Sequence, residues 1–295
     1  MSHTKMVVLS GGLGNQLFQF SYAHFLVNDP NAKIEIYAPK QKGVGGRDFA
    51  LESLCLECSH IYRVRSRRLW WIDFVFKCRG FIQHRLGNLA QDLFDKYLYV
   101  ESNAYEVAEV NVSVRVYSGY FQNWQYVLEV MPQIYSELVK ILTKATSRAS
   151  IRLGDSVYGV VHYRRGDLLK YRKTMGILAD DYFLKAINSA FADLNQRIKL
   201  VVLTDDKEAG EKTFAGIAAE VYGPEDVEEW EALSIMSNAI FVVTSNSTFS
   251  WWGGLLSSKK GGVVYVPSPW FLDWSPNPGE AFNSPNFKKI PAQFT

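Results

Sequence analysis

An imidazole, two guanidiniums and a carboxylate stand within one hexapeptide, His162-Tyr163-Arg164-Arg165-Gly166-Asp167. Adjacent guanidiniums are costly to bury unpaired, and their fork geometry matches phosphate or carboxylate oxygens. The hexapeptide therefore reads either as an anion clamp or as a surface ion pair of Arg164 or Arg165 with Asp167. A second group, Ser245-Asn246-Ser247-Thr248, sets hydroxyls and backbone N–H groups at a helix start. That is a phosphate-binding arrangement and also an ordinary N-cap. Thr204-Asp205-Asp206 adds two carboxylates. Gly11-Gly12-Leu13-Gly14-Asn15-Gln16 is a glycine-rich turn whose N–H groups can face an anion or a sugar.

Each group follows an apolar run that reads as a buried strand: Tyr158 to Val161, Lys199 to Leu203, Ala239 to Val243 and Lys5 to Ser10. Ligands of open α/β sheets bind beyond the carboxyl ends of the strands. Convergence of the arginine loop, Asp205-Asp206 and the hydroxyl cluster at such ends favours a diphosphate. Helical patterns span 17–26, about 180–195, the stretch from Lys207, about 226–238, and the run through Trp251-Trp252-Gly253-Gly254. Lys33 to Ala38, Val112 to Tyr120 and Glu220 to Tyr222 read as further strands, and Val263 to Val266 as the last clear one. A helix runs from Trp124 to about Lys144, and polar Thr143 to Ser150 reads as a linker. The expected architecture is α/β: two doubly wound, Rossmann-like domains, 1–150 and 151–295, facing across a cleft, with the last segment free to pack back on the first.

A net charge of +2 is too near neutral to argue for nucleic acid, and 47% hydrophobic with 21% charged residues argues against disorder. No lysine-containing phosphate loop is present, which disfavours ATP hydrolysis, and the dinucleotide fingerprint is incomplete, with Leu17 where its third glycine belongs. Three cysteines, Cys55, Cys58 and Cys78, suit a reducing compartment; a zinc site at the CxxC spacing is weakly supported. Polar Met1 to Lys5 runs straight into a strand, and no window approaches the ~18 apolar residues of a membrane span. Residues 63–85 are basic and aromatic (Arg67, Arg68, Trp70, Trp71), which suits an anionic membrane face or, more simply, a helix with a solvated basic side. The expectation is a cytoplasmic protein, at most peripheral on the inner face of the plasma membrane.

Gly11-Gly12-Leu13-Gly14-Asn15-Gln16-Leu17-Phe18-Gln19-Phe20, the His162–Asp167 hexapeptide and Asn246-Ser247-Thr248-Phe249-Ser250-Trp251-Trp252-Gly253 together resemble glycosyltransferase family 11, the α-1,2-fucosyltransferases, in its bacterial O-antigen and capsule branch. The resemblance implies a GT-B-like fold, GDP-fucose as donor, inversion at the fucose anomeric carbon and no metal or other cofactor. It implies a galactoside acceptor, lipid-linked in a growing surface polysaccharide. His162, Arg164, Arg165, Asn246, Ser247, Thr248 and Asp205 then carry the donor, and Gly12, Gly14, Asn15 and Gln16 face the fucose or the acceptor. An inverting transfer needs a carboxylate base: Asp167 is the first candidate and Asp206 the second, and either serves equally well as an arginine partner or helix cap. Leu168, Thr174-Met175-Gly176 and Ala232 depart from the family pattern. At Ala232 relatives carry an Asp suited to the guanine edge, a role open to Glu231 or Glu229. Two alternatives stay open, a different GDP-6-deoxyhexose donor and a binding relative without catalysis.

Overall fold

The computed structural model of the chain describes residues 5–26, 34–37, 49–51, 54, 61–64, 98–100, 114–166, 169, 172–218, 220–272, 282 and 284–295. They fall into two compact units, Met1–Leu138 and Val139–Thr295.

The first unit holds a parallel sheet of five strands in the order β3-β2-β1-β5-β4. The strands are β1 (Lys5–Val8), β2 (Ile34–Tyr37), β3 (Ile61–Val64), β4 (Leu98–Val100) and β5 (Val116–Ser118). β1 is central and buried at every position, as a strand covered on both faces must be. Helix α1 (Leu13–Phe25) follows it. The helix starts at Leu13, not Leu17, so most of the glycine-rich motif is its first turn. Gly11 has φ +77°, and a Cβ there would lie 2.4 Å from the Asn15 side chain, so only glycine turns the chain from strand into helix here. Tyr22 of α1 stacks on Phe121 with ring centroids 3.8 Å apart.

Helix α2 (Trp124–Leu153) includes Thr143 to Ser150, so that stretch is helix and not linker. The reason is local: the Thr143 and Thr146 hydroxyls donate to carbonyls one turn back, which satisfies them within the helix.

The second unit is a parallel sheet in the order β11-β10-β9-β6-β7-β8. Its strands are β6 (Tyr158–Tyr163), β7 (Lys199–Thr204), β8 (Glu220–Tyr222), β9 (Phe241–Val243), β10 (Val263–Ser268) and β11 (Phe287–Pro291). The chain builds outward from β6 to β8, then returns to the other side of β6 with β9, so the winding reverses between β6 and β9. Helices α3 (Asp180–Leu194), α4 (Lys207–Thr213), α5 (Glu229–Ser237) and α6 (Thr248–Ser258) alternate with the strands. α3 lays Tyr182, Phe183, Ala186, Ile187 and Ala190 into the core. α6 is anchored by Trp251 and Trp252, both fully buried, and Trp251 Nε1 donates to the Phe282 carbonyl at 2.8 Å. Burying an aromatic of that size is worth about 3–5 kcal/mol against alanine, so the start of α6 is firmly placed.

β11 lies beyond the last strand expected from sequence. Phe-Lys-Lys-Ile-Pro shows no clean alternation because it is an edge strand, with lysines outward and a proline at its end. The described end of the chain belongs to this unit: Leu178 bridges to Phe294, and Thr295 N–H donates to the Ile177 carbonyl. Among the described residues no helix is long and apolar enough to cross a membrane.

Candidate active site

The reversal between β6 and β9 places the arginine loop beside the hydroxyl cluster. His162, one residue from the end of β6, is buried, and its Nδ1 shares a hydrogen bond of 2.8 Å with Ser245 Oγ. Arg164 Nη1 donates to Ser247 Oγ at 2.8 Å. Ser247 is the N-cap residue of α6 in extended conformation, yet its side chain makes no capping bond to the helix. Its oxygen meets the guanidinium instead, at the N-terminus of α6. Guanidinium, hydroxyl and helix N-terminus thus form one electropositive seat suited to phosphate. Thr248 is the first residue of that helix. Asn246 is a tether: buried, with its amide donating to the Met175 and Gly176 carbonyls at 3.2 and 3.3 Å.

Arg165 turns elsewhere. Its guanidinium pairs with Asp180, the first residue of α3, and its Nε donates to the Tyr163 hydroxyl. The ion-pair reading of the hexapeptide thus applies to Arg165, with a partner the sequence reading did not consider. Burial pushes the Tyr163 phenol above its ordinary value, opposed by the Thr213 hydrogen bond. The backbone N–H of Arg165 donates to Asp205 Oδ1 at 2.7 Å. Asp206 caps α4, accepting from the Ala209 N–H at 3.1 Å. Asp167 and Leu168 lie outside the described residues, as do Cys55, Cys58, Cys78 and all of 65–85.

Glu231 belongs to a different set of contacts. It is buried in the first turn of α5, 3.2 Å from Arg152 Nε. Both line a cavity of about 520 Å³ with Pro224, Glu225, Asp226, Val227 and Glu228. Lys207 at 2.8 Å and the Gly223 N–H at 2.9 Å hold the Asp226 carboxyl below its ordinary range.

In the first unit, Gly12 is the N-cap of α1 and Gly14 is buried within it. Gln16 is a buried fastener, accepting from the Ala50 N–H at 3.0 Å and donating to the Gly11 carbonyl at 2.9 Å. Asn15 Oδ1 accepts from Gln122 at 2.9 Å. Gln19, which the sequence reading passed over, joins the ends of β1 and β5 through Ser10 and Gly119. Asp180 and Thr213 were also missed; an acidic residue opening a helix usually signals only the helix.

The glycosyl transferase family 11 model matches residues 81–274. An Escherichia coli α-1,2-colitosyltransferase is 27% identical over 281 residues, covering 89% of this chain and 91% of that protein. The E. coli O-antigen biosynthesis glycosyltransferase WbnK is 27% identical over 299 residues, with 89% and 93% covered. Among solved structures, NodZ α-1,6-fucosyltransferase soaked with GDP-fucose superposes with a TM-score of 0.55 at 12% identity, covering 87% of this chain and 93% of that one. Fucosyltransferase NodZ from Bradyrhizobium gives 0.53 at 12% identity and the same coverage. At that identity the likeness concerns the fold, a GT-B-like pair of Rossmann-like α/β units.

Proposed function

The chain belongs to glycosyltransferase family 11, and on that premise we propose that it moves L-fucose from GDP-fucose to the 2-hydroxyl of a galactose, with inversion, in a surface polysaccharide such as an O-antigen. The observation that carries this reading is the Arg164–Ser247 contact at the N-terminus of α6. In this reading the β-phosphate of GDP sits on that seat. As the fucose C1–O bond breaks, the electron pair stays on the phosphate oxygen, where guanidinium and helix N-terminus stabilise the growing charge. The acceptor hydroxyl forms its bond to C1 from the opposite face, and its proton passes to a carboxylate, here assigned to Asp167. No metal enters the step. His162 and Thr248 line the donor seat, Asn246 and Asp205 shape it, and the cavity beside Glu231 takes the guanine. Asn15 is assigned to acceptor recognition, with Gly12, Gly14 and Gln16 holding its loop. The acceptor is lipid-linked and the enzyme works at the cytoplasmic membrane face.

Similarity to a colitosyltransferase supports a second reading, in which the donor sugar is colitose, which lacks the 3-hydroxyl of fucose. A site that hydrogen-bonds that hydroxyl rejects the deoxy sugar by a large factor, whereas an apolar site does not. Transfer from each GDP-sugar to galactosides, with the linkage read by NMR and GDP binding read by calorimetry in EDTA, separates the outcomes. Binding of UDP but not GDP would remove the donor assignment, and binding without turnover would leave a carbohydrate-binding relative.

A further inference from the structure

We infer that Asp180 is a positioning residue of the donor site, acting through Arg165, and that the two arginines divide the work. The inference rests on the donor-site reading above.

The carboxylate of Asp180 gathers three partners. Oδ1 accepts from the Tyr163 hydroxyl at 2.8 Å and from Arg165 Nη2, and Oδ2 accepts from Thr213 Oγ1 at 3.3 Å. The guanidinium of Arg165 also lies over the Tyr163 ring, 4.7 Å from its centroid. Tyr163 is 1% exposed and packs edge-on against Phe183 and Phe214 at 5.0 and 5.1 Å. The phenol is therefore a rigid post, and Asp180 fastens Arg165 to it. On its other side the loop is held by Asp205, which takes the Arg165 N–H. A Cβ on Gly166 would sit 3.1 Å from Asp205 Oδ2, so the loop passes that carboxylate at glycine distance.

Two carboxylates from two elements thus hold one arginine by main chain and side chain. With Arg165 held, Arg164 is directed to Ser247. Arg164 is the phosphate ligand. Arg165 sets the loop conformation, and Asp180 sets Arg165. Such coupling makes substitutions at Asp180 and Arg165 non-additive, whereas residues acting independently on nucleotide binding would add.

The experiment is a double-mutant cycle on the full chain, read by GDP Kd and by kcat and KM for GDP-fucose. Asp180→Asn keeps the size and the helix-opening position of the side chain. It is expected to weaken GDP binding about tenfold alone, and by less than about twofold in an Arg165→Ala background. Tyr163→Phe, which keeps the ring and removes the shared hydroxyl, should shift GDP Kd in the same direction, and Asp180→Glu should recover part of the loss. kcat should fall along with the rise in KM, because the seat also holds the charge that grows on the leaving phosphate. Full additivity of Asp180→Asn with Arg165→Ala would overturn the inference, as would wild-type GDP affinity in Asp180→Asn. Failure of the wild type to bind GDP would instead overturn the donor-site reading.

Discussion

Replacing Arg164 by alanine removes the guanidinium that, among the described residues, donates to Ser247 Oγ at the N-terminus of α6, at 2.8 Å. A planar fork at that point makes two charge-assisted hydrogen bonds to a diphosphate. At about 1.5–2 kcal/mol each, the loss is about 3–4 kcal/mol, or about 150–900-fold in Kd. Linkage makes the same quantity visible without turnover. With GDP at about 100 times the wild-type Kd, binding stabilises the wild type by about 2.7 kcal/mol, while a variant weakened about 300-fold gains only about 0.2 kcal/mol. Calorimetry gives the affinity and the GDP-induced shift in thermal midpoint gives the linkage. Arg164→Lys keeps the charge without the fork and should fall between the two. An alanine variant that binds GDP within about twofold of wild type, with its thermal shift intact, would refute the seat.

Asp206→Ala should cost about 1 kcal/mol of stability through loss of the α4 cap while leaving kcat within a few-fold; a large fall in kcat at unchanged thermal midpoint would instead make Asp206 the base. Gln19→Ala leaves the Ser10 N–H and the Gly119 carbonyl unpaired, and chemical denaturation should show a loss of about 2–4 kcal/mol. Burial pushes the Tyr158 phenol from 10.0 up to about 12. A raised folded-state pKa gives stability that is complete below pH 10.0 and lost as pH rises through about 12. The denaturation midpoint should fall over that window, and less steeply in Tyr158→Phe; equal slopes for the two proteins would exclude Tyr158 as the cause.

The strands and the polar groups that follow them were legible because each depends on short-range pattern: a β-branched run, then polar groups at its end. The family motifs pointed to the same residues. What was not legible depends on tertiary partners. Ser247 looks like a helix cap in sequence, and only the structure shows its side chain taken by Arg164 and not by the helix. Arg165 reads as the twin of Arg164 until Asp180, fifteen residues later in the chain, claims it. Gln16 carries a motif's prominence but spends both ends of its amide on loop closure. β11 escaped because edge strands lose the alternation that marks a half-buried one.

The reversal between β6 and β9 also fixes when the site comes into being. Arg164 and Ser247 are 83 residues apart in the chain, with β7, β8 and their helices between them in sequence. Contacts of that separation form late and slowly, since loop closure precedes any gain from pairing. Nucleotide affinity should therefore be the last property to appear during refolding, after helix content has recovered. A nucleotide-binding signal in a refolding mixture then counts finished second units, and little else.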